Sequence, residues 1–381
     1  MDTRKKIGLA YDYSPDWIGG AYYIASIVKA LCFIPEEKRP EVIIFYKTTA
    51  GLELLKESKY PFLQFYRVKE YKNFFCRVLN KFSRTVGLGN VIYDSTPRKL
   101  VEKYYCEYNY NHFFLPGFKK HHYWIPDFQE DYYPSFFNKK EIELRKNFQK
   151  KIALSCSDVT FSSNDALSDF VRLYPEHNCE LSVLHFASVN NTDFNDLNIN
   201  LLLQKYQLKK PYFFVANQFW QHKNHLTVFK ALALAKIKNK NFTIAFSGKQ
   251  HDHRNKDYFS ELQAFCNEND LSKQVNFLGF IDRKEQLQLM AHSISIIQPS
   301  LFEGWSTVVE DAKFLNKHIL LSNLAVHKEQ ASYNVSFFDA LDHGMLAKIL
   351  LEKLDNPPIE IIDEYKRNIV NFGLDFLKIM E

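Results

Sequence analysis

Short apolar runs alternate with amphipathic stretches along most of the 381 residues. Residues 7–11 form the first such run, a polar loop follows and ends in Gly19-Gly20, and residues 21–31 carry apolar positions at helical spacing. A strand, a glycine-bearing loop and a helix in that order open a doubly wound α/β domain. Apolar runs at 41–46, 112–115, 123–125, 159–161 and 181–184 read as further strands. Helices are expected at 141–154 and after Ser162-Ser163-Asn164-Asp165, whose side chains suit an N-cap. Residues 51–110 follow neither period clearly. Within them, Arg67, Lys69, Lys72, Arg77, Lys81 and Arg84 alternate with Tyr71, Phe74, Phe75 and Phe82. An amphipathic helix with a solvated face is the ordinary reading of that stretch. Contact with a membrane interface or a glycolipid is the functional one.

Between residues 188 and 200 the chain turns polar and rich in Asn and Asp, which marks a linker. A second α/β series follows, with strands at 212–216, 242–246, 275–278, 294–297, 318–321 and 335–338. Helices are expected between them at 226–236, 258–267, 284–291 and 307–315. Such regular alternation implies a parallel sheet wound in one hand, with ligands at the carboxyl ends of its strands. The loops 217–224, 248–252, 279–283 and 299–306 should therefore open on one edge. After Pro357-Pro358 an amphipathic tail, 360–380, is too short for a domain and is expected to pack back on the first one. The expectation is an α/β chain of two Rossmann-like domains, 1–188 and 189–358, with 359–381 returning to the first.

Composition narrows the class. Hydrophobic residues make up 46% and charged residues 24%, as in folded soluble chains. The formal charge of +5 is modest. It does not argue for nucleic acid, but it suits anionic donors or peripheral contact with an acidic membrane surface such as an inner membrane. Six scattered cysteines with no Cys-x-x-Cys pair argue against a zinc ribbon or disulfide scaffold and fit a reducing compartment. No apolar stretch is long enough to span a bilayer, and the charged start followed by a short, broken apolar run is not a signal peptide. A cytoplasmic location, or the cytoplasmic face of a membrane, is the expectation.

The densest chemistry lies in Pro299-Ser300-Leu301-Phe302-Glu303-Gly304-Trp305-Ser306-Thr307-Val308-Val309-Glu310. A turn with two hydroxyls and Glu303 leads into a helix that carries Glu310. Free amides at such a helix start can hold a phosphate, and the carboxylates can hold sugar or ribose hydroxyls. In the loop Asn217-Gln218-Phe219-Trp220-Gln221-His222-Lys223-Asn224-His225, Lys223 precedes a helix and suits a diphosphate. His222 and His225 have no carboxylate or cysteine nearby in sequence, so no metal site is assigned. Gly248, after the next strand, permits close approach of a ligand, and Lys249 beside it is another phosphate candidate.

These motifs resemble the donor-binding half of the retaining GT-B glycosyltransferases of family 4. The likeness rests on Glu303 to Glu310, which resembles the family's E-x7-E element with six residues between the acids instead of seven, and on Lys223 before its helix, Gly248, Gly279-Phe280 and the 287–291 stretch. The first half agrees through Gly19-Gly20. The resemblance implies two Rossmann-like domains facing a central cleft. It also implies Glu310 on the ribose, Glu303 on the transferred sugar, and Gly304, Trp305, Ser306 and Thr307 around the sugar and distal phosphate. Lys223 would hold the diphosphate, Gly19 and Gly20 would line the cleft, and Asp127 would sit near the reacting sugar. The family often carries an arginine where Gln218 stands, and a histidine where Pro126 stands. The variants Asn-Gln-Phe-Trp-x-His-Lys-Asn-His and Ile-Pro-Asp-Phe-Gln resemble a bacterial surface-polysaccharide subgroup.

The expected activity is transfer of a mannose-like or other hexose from a nucleoside-diphosphate sugar to a hydroxyl of a glycan or lipid-linked glycan. Asp127, Lys223 and Glu303 are its candidate catalytic residues, with no cofactor and no metal. A non-catalytic sugar-nucleotide-binding or scaffold subunit and a GT-B-type nucleotide-sugar epimerase are the alternatives.

Overall fold

The computed structural model describes residues 4–14, 18–69, 73–85, 92–101, 103–107, 115, 118, 121–190, 192–236, 238 and 241–381. The chain divides into two compact units, Met1–Asp127 with Lys140–Val189 and Lys366–Glu381, and Phe128–Lys139 with Asn190–Tyr365.

The first unit carries β1 (Lys6–Tyr11), β2 (Glu41–Tyr46), β3 (Leu63–Arg67), β4 (Lys103–Glu107), β5 (His122–Ile125), β6 (Asp158–Phe161) and β7 (Glu180–Val183). Among the described residues they form a sheet in the order β3-β2-β1-β4-β5-β6-β7, with parallel pairing throughout. β3 and β4 lie in the stretch whose apolar period was unreadable. β3 is half-exposed at the sheet edge, so burial imposed no apolar run on its sequence. The strand expected at 112–115 falls on residues outside those described, apart from Leu115, which is not in a strand.

The tail forms the helix Lys366–Ile379, which packs on the helix Gly19–Leu31. Gly373 permits this, because a Cβ there would lie 3.1 Å from the carbonyl oxygen of Ala30. Phe372 and Phe376 enter an aromatic group with Tyr23, Tyr105, Trp124 and Phe186, in which Tyr23 stacks on Trp124 at 3.8 Å.

The second unit carries β8 (Tyr212–Ala216), β9 (Thr243–Ser247), β10 (Val275–Gly279), β11 (Ile296–Gln298), β12 (Ile319–Ser322) and β13 (Val335–Phe338). They are parallel in the order β10-β9-β8-β11-β12-β13. Both faces are covered, which is why these strands read as unbroken apolar runs rather than alternating ones. Phe213, Val215, Ile244, Phe246, Ile297 and Leu320 face one layer, with the helices His225–Lys236 and His343–Asp355. Phe214, Ala245, Ile296 and Leu321 face the other, with Arg283–Ala291 and Thr307–Phe314.

Two domain limits differ from expectation. Residues 128–139 precede the linker in sequence yet belong to the second unit. Tyr133 donates to the Leu301 carbonyl at 3.2 Å, Tyr132 packs on Phe302, and the Arg254 guanidinium lies 3.9 Å from the Phe137 ring centre. Residues 359–365 also stay with the second unit. Lys317 pairs with Glu360, Asn334 exchanges two hydrogen bonds with the Ile361 backbone, and Asn316 accepts from the Asp363 amide.

Candidate active site

The strand order of the second unit reverses between β8 and β11, where neighbouring crossovers leave in opposite directions and open a crevice at the carboxyl ends. The loops after these two strands are those of Lys223 and Glu303. Hydrogen bonds fasten them together. The Leu301 amide donates to the His222 carbonyl at 2.8 Å, and Asn224 Nδ2 donates to the carbonyls of Pro299 and Ala340 at 3.0 and 2.7 Å. Asn224 adopts the left-handed conformation (φ 56°), which turns the chain from the Lys223 loop into the helix His225–Lys236.

This clamp brings Lys223 Nζ to 2.6 Å from Glu303 Oε1. The same oxygen accepts from Gln298 Nε2 at 2.7 Å and from Ser300 Oγ at 2.6 Å. Gln298 is held in turn by Asn217 Nδ2, which donates to its Oε1 at 2.8 Å. All three donors converge on one oxygen, so Glu303 Oε2 accepts nothing among the described residues. Burial would raise the Glu303 pKa, but the Lys223 charge, His327 and the hydrogen bonds from Lys223 and Ser300 outweigh it and hold the carboxyl below its ordinary value.

Glu310 is placed differently. Its Oε1 accepts from Lys313 Nζ and Gln330 Nε2, each at 2.9 Å, and its Oε2 from the Tyr365 hydroxyl at 2.5 Å. The side chain is buried, and both oxygens are already used. These three donors leave about one of the carboxylate's four acceptor sites, on Oε2, so a ribose hydroxyl at Glu310 would join Tyr365 there or displace a donor.

Between the two carboxylates, Ser306 caps the helix Thr307–Phe314 by accepting from the Val309 amide at 3.4 Å. Gln330 grips the Ser306 backbone on both sides, at 3.1 and 2.7 Å. Among the described residues the Thr307 and Val308 amides are left without an acceptor, as an anion-binding helix start requires. Gly304 is buried and Trp305 half-buried in the same turn.

The remaining candidates are placed as follows. Gly248 has φ +148°, and a Cβ there would meet the Asn217 carbonyl oxygen at 2.1 Å. Its missing side chain therefore makes room for the Asn217–Gln218 backbone. Lys249 Nζ lies 5.7 Å from the Phe280 ring centre. The Gln218 side chain makes no hydrogen bond among the described residues. His225 is a core ring stacked on Phe219 at 4.3 Å, with burial lowering its pKa to about 3. His222 is also held neutral, by burial and by the charges of Lys223 and Arg254. Gly19, Gly20 and Asp127 belong to the first unit. The two glycines form the first turn of their helix, and Asp127 follows the carboxyl end of β5.

Sequence reasoning missed Gln298, Ser300, His327, Gln330 and Tyr365. A polar Gln298 closing an apolar strand was a readable signal, but nothing local marked Gln330 or Tyr365, which reach the site across 20 and 55 residues. His327 is fully buried with its pKa lowered to about 4. Desolvation is the main cause, opposed by Glu303 and the Ser322 carbonyl.

Residues 202–371 match the family described as glycosyl transferases group 1. The chain is 22% identical over 258 residues to the O-antigen chain mannosyltransferase RfbU of Salmonella typhimurium, a match covering 67% of this chain. It spans 66% of that relative's length, just under two thirds. In fold it is similar to Anabaena HepE solved with UDP and glucose, with a TM-score of 0.69, 15% identity and 99% of both chains covered. It is also similar to WaaG, a glycosyltransferase of lipopolysaccharide biosynthesis, with a TM-score of 0.61, 12% identity, and 96% of this chain and 95% of that one covered. Two Rossmann-like units with parallel sheets of this order are the GT-B fold.

Proposed function

We propose that the chain is a glycosyltransferase that moves a hexosyl group, mannose-like in kind, from a nucleoside-diphosphate sugar to a hydroxyl of a glycan or lipid-linked glycan. The observation that carries this reading is the Lys223–Glu303 pair at the strand-order reversal, with Glu303 Oε2 open and the Thr307 and Val308 amides beside it. A cation, an open carboxylate oxygen and bare helix amides are the groups that a diphosphate joined to a sugar calls for. The family match and the two fold relatives support the donor class, since HepE holds UDP and glucose and WaaG is itself a glycosyltransferase. The RfbU likeness supports mannosyl transfer in surface-polysaccharide synthesis.

In this reading the bond from the sugar's anomeric carbon to the diphosphate oxygen breaks as the bond to the acceptor oxygen forms. The acceptor's proton passes to a phosphate oxygen, which gives retention when attack comes from the leaving-group face. Lys223 turns from Glu303 to the diphosphate and stabilises the departing charge, while Gln298 and Ser300 keep Glu303 supplied with donors. Glu303 Oε2 accepts from a sugar hydroxyl. The charge stabilisation comes from Lys223 and the helix amides, and no metal is assigned. The roles of Gly19, Gly20 and Asp127 rest on the sequence resemblance alone.

A thermal-shift panel of UDP-, GDP-, ADP- and dTDP-sugars, followed by product analysis with the best binder, tests the proposal. Stabilisation by one donor and transfer to an acceptor support it. Stabilisation by none refutes the donor site, binding without turnover identifies a non-catalytic subunit, and sugar inversion without an acceptor identifies an epimerase.

A further inference from the structure

The helix Phe74–Thr85 in the first unit is mounted inside out. Amphipathic helices of soluble proteins turn their apolar face to the core. Here Phe74, Phe75 and Phe82 are 84%, 68% and 68% exposed and Val78 is exposed beside them. At 100° per residue these four side chains fall within about a 100° stripe. The opposite face, with Cys76 and Ser83 buried and Asn80 half-buried, is turned to the protein. That seating is specific. Asn80 donates to the Ile92 carbonyl and accepts from the Ile92 amide, both at 2.8 Å, and Asn73 Oδ1 accepts from the Cys76 amide at 2.8 Å. A rotation that hid the phenylalanines would break the Asn80 pair.

Charge identifies what covers the stripe. Arg77 and Lys81 are exposed along one border of it, and the helix contains no carboxylate. An apolar ridge bordered by basic residues matches the headgroup–acyl boundary of a bilayer that carries acidic lipids. An apolar protein surface would match the phenylalanines alone, whereas acidic headgroups above acyl chains match the ridge and its exposed basic border at one surface. No helix among the described residues is long and apolar enough to cross a membrane, so the attachment is to its surface. We infer that Phe74–Thr85 is a membrane-docking helix. It inserts Phe74, Phe75, Val78 and Phe82 among acyl chains, with Arg77 and Lys81 against anionic headgroups.

Co-sedimentation of the full chain with vesicles of phosphatidylcholine alone, or with phosphatidylglycerol added, tests this independently of any donor chemistry. The wild-type chain should bind the anionic vesicles. The triple variant Phe74→Ser, Phe75→Ser and Phe82→Ser should lose at least about tenfold in partitioning. Arg77→Glu with Lys81→Glu should lose about fivefold per residue at low salt and less at high salt. These positions are exposed, so circular dichroism and the thermal transition should stay at wild-type values. No binding by the wild type, or equal binding by the triple variant, overturns the inference. So does wild-type self-association in sedimentation velocity that the same serines abolish, because it assigns the stripe to a second copy of the chain.

Discussion

Replacing Lys223 by methionine isolates the electrostatics of the candidate site. The substitution keeps most of the side-chain volume and removes the ammonium 2.6 Å from Glu303 Oε1. Both side chains are largely enclosed, at 16% and 8% exposure, so water replaces little of the lost interaction. Removing one partner of a buried ion pair costs about 3–5 kcal/mol. Gln298 and Ser300 still donate to Glu303, which places Lys223→Met near the lower end, about 3 kcal/mol.

The pH dependence has a definite sign. In the wild type the Glu303 pKa is depressed, so its contribution is present above the unfolded value and is lost as pH falls through the folded one. In Lys223→Met burial acts without its main opponent, the Glu303 pKa rises, and protonation relieves the variant. The stability gap between the two proteins should therefore narrow as pH falls from neutral to about 5, while changes common to both cancel in the difference. The double variant Lys223→Met with Glu303→Gln removes both charges and should recover most of the loss, giving a coupling energy of about 2–3 kcal/mol. Urea unfolding of the four proteins at the two pH values supplies the cycle, and sugar transfer should be lost in all three variants. A penalty below about 1 kcal/mol that does not change with pH would refute the pairing argument, and wild-type turnover in Lys223→Met would remove Lys223 from the reaction.

Three further outcomes are expected. Gly248→Ala places a methyl 2.1 Å from the Asn217 carbonyl at a φ that alanine rarely adopts, so it should lower the thermal midpoint and diminish the donor-induced shift; an unchanged shift would separate the Asn217–Gln218 backbone from donor binding. Tyr365→Phe strips Glu310 Oε2 of its donor and should cost about 1–3 kcal/mol without ligand while tightening donor binding; a stability loss with unchanged affinity, read by calorimetry, would make Glu310 a structural carboxylate. His225, His318 and His327 titrate at about 3, 4 and 4 in the fold against an ordinary 6.5, so the unfolded chain binds more protons between those values and stability should decline as pH falls below about 6.5. For His327, fully buried, the linkage reaches about 3 kcal/mol, and His327→Gln should flatten that part of the profile.

The sequence by itself determined the two parallel α/β series, because strands covered on both faces must be apolar at consecutive positions, as in Phe213-Phe214-Val215. It also placed Lys223 and Glu303 on loops at one sheet edge, since the carboxyl ends of parallel strands share an edge whatever their order. The order itself was not local information. Only the tertiary structure set β8 beside β11 and so drew those two loops to a 2.6 Å ion pair. The fold also decided that Gly248 serves the neighbouring backbone, that residues 128–139 lie on the Glu303 loop, and that Gln330 and Tyr365 occupy Glu310. Each of these is a contact between segments distant in sequence. Apolar period and turn chemistry constrain a segment's own backbone and burial, and they carry no record of which distant side chain satisfies a buried polar atom.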